Sequence, residues 1–223
     1  MSAVHHPPPG PLPVAPLQLK GAIQRLHGAW DNPIGQEWCV DLPARIAAAE
    51  PSAIIYAGRN TLYRFAGPDR PVVVKAFGIG NGLRWRRGPD KAAASYDHAA
   101  RLLRLGLGTP EPLAVIAARG SRAFYVCAWE DGCRSVWDIH DGLLSAEVGV
   151  ALAQFIARMH DAGAHHQDLT PGNVLLKPLT QDQSAAFDHL LVDCNRMRFG
   201  PVSLRTGLAA LAKLACKGTL VEP

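Results

Sequence analysis

Short apolar runs separated by turn residues occupy the stretch of chain that follows residue 52. The runs AIIYAG (53–58), TLYRF (61–65) and PVVVKAF (71–77) are rich in β-branched and aromatic residues, and the polar links RN and AGPDR separate them. Two further runs, PLAVIAA and AFYVCAW, flank the link RGSR. The pattern predicts an antiparallel sheet made of a three-stranded meander and a second hairpin.

Apolar residues spaced three and four apart predict helices in three places. The first covers residues 91–105, with Asp90 as its N-cap and Gly106 as its stop. The second runs from a cap at Ser145 to about His160. Its apolar stripe consists of Val148, Leu152, Phe155, Ile156 and Met159. The third lies around 203–217, and the strand-like runs NVLLKPL and HLLVDC separate the last two helices.

The order of these elements predicts an α+β chain with two lobes. A proline-rich start, residues 1–16, predicts a disordered or polyproline II tail. Residues 17–130 then form an N-lobe, with a partly helical lead-in to the sheet and its helix. A change of composition at EDGC places the boundary near residue 131, and residues 131–223 form a short, mainly helical C-lobe.

Composition narrows the class of protein. The chain has 223 residues, of which 48% are hydrophobic and 19% charged, as in globular proteins. No apolar run approaches the roughly 20 residues of a membrane-spanning helix. The first residues lack the pattern of a secretory signal, and five cysteines without a CxxC pair favour a reduced, cytoplasmic protein.

The net charge of +4 is unevenly distributed. Residues 58–104 contain ten Lys/Arg and three Asp/Glu, a local charge of +7, which leaves −3 for the rest of the chain. This part of the chain favours an anionic partner: nucleotide phosphates, an acidic glycolipid, nucleic acid or a membrane surface. The alternative is a solvated basic face without a partner.

The segment HHQDLTPGNVLL, residues 165–176, carries the strongest chemical signal. Phosphoryl transfer to a hydroxyl needs a carboxylate that accepts the hydroxyl proton and an oxygen ligand for magnesium close by. Asp168, followed by Asn173 in the pattern D-L-x-x-x-N, supplies both from one loop. The alternative is that both residues only form turns around the Pro-Gly pair. A zinc site is disfavoured because the histidine pairs lack a third spaced ligand.

Three residues elsewhere complete the same chemistry. Asp193 ends the strand-like run LLVD and can bridge magnesium to a triphosphate. Lys75, inside the apolar run VVVKAF, needs a phosphate or carboxylate partner if it is buried. Asp97, in the first predicted helix, is the acidic candidate for that partner. The alternatives are a strand-end turn for Asp193 and an edge-strand lysine reaching solvent for Lys75.

Five segments together resemble a known family. They are GRNTLYRF, VVVKAF, KAAASYDHAARLLRLGLGTPEPLAVI, HHQDLTPGNVLL and LVDCNRMRFGP, and they extend over residues 58–202. The chain resembles protein-kinase-like folds, and within them the bacterial lipopolysaccharide kinases, which phosphorylate 3-deoxy-D-manno-octulosonic acid (Kdo) or core heptose. The stretches SYDHA, GTPEPLA and DCNRMRF resemble this group more than protein kinases or aminoglycoside phosphotransferases.

This resemblance implies a two-lobed fold that binds ATP and Mg²⁺ in the cleft between lobes, with a hinge near Cys127 to Glu130. It implies that Asp168 is the base, that Lys75 held by Asp97 positions the α- and β-phosphates, and that Asn173 and Asp193 hold magnesium. The nucleotide contacts that it implies are Gly58, Arg59, Asn60, Lys75, Cys127 and Ala128. His166 is expected to brace the loop.

The sequence departs from the family pattern at three points. The first turn has one glycine, Gly58, where kinases have a glycine-rich loop. Asp97 stands where the group usually has glutamate, and Gln167 stands where kinases generally have arginine. The alternatives to a lipopolysaccharide sugar kinase are therefore a protein or small-molecule phosphotransferase on the same fold and a catalytically silent nucleotide-binding protein.

The expected acceptor is a glycolipid containing Kdo or heptose. The basic segment RWRRGPDK, residues 84–91, suits an anionic acceptor and also peripheral contact with the cytoplasmic face of the inner membrane. Arg196 and Arg198 are candidates for binding an acceptor carboxylate or phosphate, with plain surface charges as the alternative. Nucleic-acid binding is disfavoured because the basic segment carries no recognition motif.

Overall fold

The structure is a computed structural model that describes residues 23–77, 87–117, 122–139, 146–179 and 187–216. The predicted tail and residues 84–86 of the basic segment lie outside these ranges. The chain divides into two compact units, residues 1–93 with 113–129, and residues 94–112 with 130–223. Within the described residues, no helix has both the length and the hydropathy that crossing a membrane requires.

The first unit contains a six-stranded sheet. Its strands are β1 (Ile23–Leu26), β2 (Ile54–Ala57), β3 (Asn60–Ala66), β4 (Pro71–Phe77), β5 (Pro112–Ala117) and β6 (Ala123–Ala128). They lie in the order β1-β5-β6-β4-β3-β2, and β4 pairs antiparallel with both β3 and β6. Strand β4 is therefore central, in agreement with its run of three valines.

Helix α1 (Pro33–Ala47) supplies the other half of the core of this unit. It begins where the Asn32 side chain accepts a hydrogen bond from the Gly35 amide, with proline at the first helical position, a favoured N-terminal pattern. Trp38 and Leu42 pack with Val72 and Val126 of the sheet. Each such buried side chain contributes about 1.5–3 kcal/mol.

The second unit combines helices with two small sheets. Its remaining elements, in chain order, are α2 (Arg87–Arg104, of which the residues from Ala94 belong here), β7 (Arg134–Ser135), α3 (Val136–Ile139), α4 (Ala146–Asp161), β8 (Ala164–His166), β9 (Val174–Pro178), β10 (Phe187–Leu191), β11 (Met197–Phe199) and α5 (Leu204–Cys216). One sheet has the order β10-β9-β7, and β11 pairs with β8 in the other. Both are antiparallel.

The apolar stripe predicted for the second helix is the centre of this unit. Leu152, Phe155, Ile156 and Met159 of α4 are all buried, and they belong to one cluster with Leu102 of α2 and residues of the small sheets. Residues 94–112, which the sequence places in the N-lobe, cluster with the second unit because Leu102 and Leu107 pack into this core.

The main elements agree with the sequence prediction, and some boundaries differ. Helix α2 begins at Arg87, so Asp90 lies in its first turn and is not the N-cap. The helix ends at Arg104, and Gly106, with φ +71°, follows it as predicted. Ser145 lies outside the described residues. The short strands β1, β7, β8 and β11 were not predicted, since two to four residues carry too little periodicity.

Candidate active site

The loop from His165 to Asn173, here called the Asp168 loop, is held from inside by His166. The His166 side chain is fully buried. Its Nδ1 accepts a hydrogen bond from the Asp168 backbone N–H at 3.2 Å, and its Nε2 lies 3.1 Å from the Val192 carbonyl oxygen. Because a backbone N–H only donates, Nδ1 is unprotonated and Nε2 carries the hydrogen. His166 therefore links the loop to the end of β10 and is not a metal ligand in this arrangement.

Asp168 and Asn173 are fixed relative to each other by a hydrogen bond across the loop. The Asn173 side-chain Nδ2 donates to the Asp168 carbonyl oxygen at 2.8 Å. The turn Pro171–Asn173 is a single 3-10 turn, in which the Asn173 amide donates to the Thr170 carbonyl oxygen. Since Nδ2 is used in this way, the amide oxygen of Asn173 faces away from that bond and is available as a ligand.

Asp193 follows β10 in a backbone conformation that few non-glycine residues adopt. Its φ is 57° and its ψ is 42°, and it is the one non-glycine with positive φ among the described residues. Such residues are enriched at functional sites. The preceding residue, Val192, donates its amide hydrogen to the Asn173 carbonyl oxygen at 3.0 Å. This backbone hydrogen bond brings together Asn173 and Asp193, the two proposed metal ligands.

The end of β10 is also tied to the segment that follows α2. Thr109 Oγ1 donates to the Leu191 carbonyl oxygen at 2.7 Å, and the Leu191 amide donates to the Gly108 carbonyl oxygen at 2.9 Å. His98 Nδ1 lies 2.8 Å from the Cys194 carbonyl oxygen, on the other side of Asp193. The backbone is therefore anchored on both sides of Asp193.

The donor atoms at this place suit magnesium. Asn173 offers an amide oxygen and Asp193 a carboxylate, and hard oxygen ligands of this kind are those that Mg²⁺ prefers. Mg²⁺ usually binds one or two protein oxygens and completes its coordination with water and phosphate oxygens. Two protein ligands on adjoining turns fit that requirement.

Cationic side chains lie along one side of the Asp168 loop. Of these, only Arg196 and Arg198 were indicated by the sequence. Arg196 Nη1 lies 3.6 Å from Asp168 Oδ2, and the Arg196 carbonyl oxygen accepts the Gln167 amide hydrogen. Lys213 of α5 donates from Nζ to the Gln167 carbonyl oxygen at 2.6 Å. Lys213 was missed, and its one signal in the sequence is that it interrupts the apolar run LAALAKLAC. Gln167 acts here through its backbone.

Lys75 lies in the first unit, on the central strand β4. Its side chain is 8% exposed, and Nζ is 5.3 Å from the centre of the Phe77 ring. Its register partners are Leu62 on β3 and Tyr125 on β6. The alternative of an edge-strand lysine reaching solvent is therefore wrong. A buried ammonium on a central strand is the arrangement expected of a phosphate-binding lysine.

The other predicted nucleotide contacts occupy two places in the first unit. Gly58 and Arg59 are exposed in the turn between β2 and β3, where the Gly58 amide donates to the Asn60 carbonyl oxygen at 3.1 Å. Cys127 and Ala128 are buried at the end of β6. Asp97 belongs to the second unit, on an exposed position of α2. Their roles at a nucleotide stay predictions.

Comparison with known proteins supports the kinase interpretation. The family model described as "Lipopolysaccharide kinase (Kdo/WaaP) family" matches residues 81–206, more than half of the chain. No curated protein sequence gives a match.

Two solved structures share the fold. "WaaP in complex with acyl carrier protein" is 20% identical, with TM-score 0.56, over 82% of this chain and 77% of that chain. The Rio2 kinase-ADP/Mg²⁺-phosphoaspartate complex from Chaetomium thermophilum is 16% identical, with TM-score 0.60, over 86% of this chain and 64% of that chain. At these identities the likeness establishes the predicted α+β, protein-kinase-like fold.

Proposed function

Because this chain belongs to the lipopolysaccharide kinase (Kdo/WaaP) family, we propose that it transfers the γ-phosphoryl group of ATP to a sugar hydroxyl of the lipopolysaccharide inner core. Membership of the family establishes a kinase of lipopolysaccharide core biosynthesis. The observation that supports the finer proposal is the joined pair of turns that carries Asp168, Asn173 and Asp193. The acceptor sugar, Kdo or heptose, belongs to the proposal.

In the proposed reaction, Asp168 accepts the proton of the acceptor hydroxyl while the hydroxyl oxygen bonds to the γ-phosphorus. The bond between that phosphorus and the bridging oxygen to the β-phosphate breaks, and ADP leaves with the electron pair. Asn173 and Asp193 would hold the magnesium ion. When bound, that ion supplies positive charge to the phosphate oxygens. His166 keeps the loop geometry fixed, so little reorganisation is needed during transfer.

Lys75 is the proposed ligand of the α- and β-phosphates, with Asp97 as its acidic partner. Asp97 has one methylene less than the glutamate of the family pattern, which is the main departure in this pair. The turn at Gly58, Arg59 and Asn60 would lie over the phosphates, and the Arg59 guanidinium would add positive charge there. Cys127 and Ala128 would contact the adenine base.

We also propose a peripheral position on the cytoplasmic face of the inner membrane. Helix α5 supports it, since Leu204, Leu208 and Leu211 are exposed at helical spacing and the helix has no acidic residue. An apolar stripe on a cationic helix suits an anionic lipid surface. The WaaP structure contains acyl carrier protein, which makes a carrier protein the second candidate partner. Co-sedimentation with vesicles rich in anionic lipid should be lost in a triple Leu→Gln variant of the stripe.

The activity is tested by offering labelled ATP and magnesium with three acceptors: a Kdo-bearing lipid A precursor, a protein and an aminoglycoside. We expect transfer to the glycolipid. Asp168→Asn should lower kcat by about 10²–10⁴-fold while ATP still binds, because only the base is removed. Asp188→Asn, an exposed carboxylate on β10, is the matched control and should retain activity.

Two outcomes would contradict the proposal. Transfer to protein or aminoglycoside alone would favour a different phosphotransferase on this fold. Absence of magnesium-dependent turnover with every acceptor would favour a catalytically silent nucleotide-binding protein. Phosphorus NMR of the glycolipid product then assigns the phosphate to Kdo or heptose and to one hydroxyl.

A further inference from the structure

Four cationic or titratable side chains lie together at the start of the Asp168 loop and on the segments next to it. They are His165, Arg196, Arg198 and Lys213, here called the basic cluster. Two of them make direct contacts with consecutive loop residues: Arg196 with Asp168, and Lys213 with the Gln167 carbonyl oxygen. The cluster is therefore positioned relative to the proposed base and is not a set of unrelated surface charges.

The β8–β11 ladder places the other two members on one face. Arg198 is the register partner of His165, and Met197 is the partner of His166. Directly opposed residues of an antiparallel pair project on the same side. His166 and Met197 are buried on the inner side, whereas Arg198 is exposed and His165 is half-buried on the outer side.

Arg196 retains most of its binding capacity in this arrangement. Its guanidinium has five N–H donors, and its contact with the Asp168 carboxylate, at 3.6 Å, is longer than a hydrogen bond of good geometry. The Arg196 and Asp168 side chains are 52% and 37% exposed. Both are therefore within reach of a bound molecule, and Arg196 can exchange Asp168 for another anion.

The charged groups around His165 also favour the binding of an anion. Burial lowers the pKa of His165, and His160, Lys213, His166 and Arg198 lower it further. The acidic groups nearby include Asp168, which contacts Arg196, Asp161, which acts on His160, and Asp193, whose turn adjoins the loop. Three cationic side chains, Arg196, Arg198 and Lys213, on one side of the proposed base suit the binding of an anion.

We propose that the basic cluster binds the anionic group of the acceptor sugar, a carboxylate or a phosphate, and so presents the neighbouring hydroxyl to Asp168. Arg196 changes partner in this step: it leaves Asp168 for the acceptor anion, and the carboxylate of Asp168 becomes available to the hydroxyl proton. This inference rests on the proposed function for its choice of ligand. It assigns to Arg196 and Arg198 the selection of an anionic over a neutral acceptor.

The kinetic test compares the Kdo-bearing lipid A precursor with its carboxyl methyl ester, which lacks the negative charge of that carboxylate and adds one methyl group. For wild type, the KM for the ester should be at least about 10-fold higher than the KM for the acid, because the ester loses one charge-assisted contact. The double variant Arg196→Gln with Arg198→Gln should raise the KM for the acid by about 10–100-fold and leave the KM for ATP unchanged. Arg196→Lys keeps the positive charge, so it should raise the KM for the acid by less than the double variant does.

Arg104→Gln provides the matched control, because Arg104 is an exposed arginine at the end of α2 in the same unit. It should leave both acceptor KM values unchanged. Circular dichroism and urea unfolding establish that each variant is folded. Equal KM values for acid and ester in wild type, or an unchanged preference in the double variant, would overturn the inference.

A binding arm separates this inference from the proposed function. Saturation-transfer NMR with free Kdo and with glucose 6-phosphate reports anion binding without turnover and distinguishes carboxylate from phosphate. If the protein shows no turnover but binds an anion, and the double variant no longer binds it, the subsite is supported and the proposed function is rejected. Turnover without any dependence on the two arginines would retain the function and reject the subsite. Wild type that binds neither anion and shows no preference for the acid also rejects the subsite.

Discussion

The two ring nitrogens of His166 connect the Asp168 loop to the end of β10. Replacement by phenylalanine fills the space but removes the hydrogen bonds of the half-buried Asp168 amide and Val192 carbonyl oxygen. Each unsatisfied group costs about 1–3 kcal/mol, so His166→Phe should lower the free energy of unfolding by about 2–5 kcal/mol. His166→Asn keeps a short polar group for one partner and should lose less. Urea unfolding measures both; equal stabilities would contradict the bracing function.

Asp193 is held in the left-handed region, which costs a non-glycine residue about 1–2 kcal/mol. Asp193→Gly and Asp193→Ala both remove the carboxylate and should both abolish magnesium-dependent transfer. Asp193→Gly should nevertheless be about 1 kcal/mol more stable than Asp193→Ala. The same pair of changes at Asp188, inside β10, should give the opposite order. If Asp193→Ala equals Asp193→Gly in urea unfolding, the left-handed backbone is not maintained.

At the scale of elements, the connection between α2 and β10 fixes the strand that leads to Asp193. A Cβ at Gly108 would collide with the His189 carbonyl oxygen and lie 2.8 Å from Leu190 Cδ2, so the backbone must shift. Gly108→Ala should lower the free energy of unfolding by about 1–3 kcal/mol and reduce kcat. Gly149→Ala, with nothing within 4 Å in α4, should raise stability by about 0.5–1 kcal/mol. Similar effects of the two changes would contradict this account.

The elements also separate what the sequence predicts from what it does not. Long periodic runs such as β3, β4 and α4 are predictable because their own pattern specifies them. Strands β8 and β11 have three residues each and exist because His166 and Met197 pair across the chain. The connections Lys213 to Gln167 and Arg196 to Asp168 join residues 46 and 28 positions apart. Local patterns carry no signal for such contacts.

At the scale of the whole molecule, the proposed chemistry is divided between two units, each with its own core. Lys75 belongs to the first, and the residues proposed for base and metal belong to the second. Four features in order along the chain were sufficient to indicate the family. They are a strand lysine, a helix acid, the Asp-Asn loop and a strand-end aspartate. The departures at Asp97 and Gln167 were equally visible, but their consequences depend on tertiary contacts.

The second unit should lose stability as the pH falls below about 6.5, because burial lowers the pKa of His160, His165 and His189 from 6.5. Well above 6.5 these groups are neutral in both states. Below it the unfolded chain binds protons that the folded chain still excludes, so stability falls until the lowered folded pKa is passed. The slope is at most about 1.4 kcal/mol per pH unit for each histidine.

Hydrogen exchange of the β9 and β10 amides, measured between about pH 5.5 and 7.5 and corrected for intrinsic exchange, reports the stability of this unit. His189→Phe is the informative variant, since the His189 ring stacks on Phe155 at 5.1 Å and its Nε2 has no hydrogen-bond partner among the described residues. A phenylalanine keeps the stacking and cannot be protonated. The variant should therefore have a shallower pH dependence than wild type. Stability that rises towards low pH, or an unchanged slope in His189→Phe, would show that these buried imidazoles do not control the acid sensitivity of the unit.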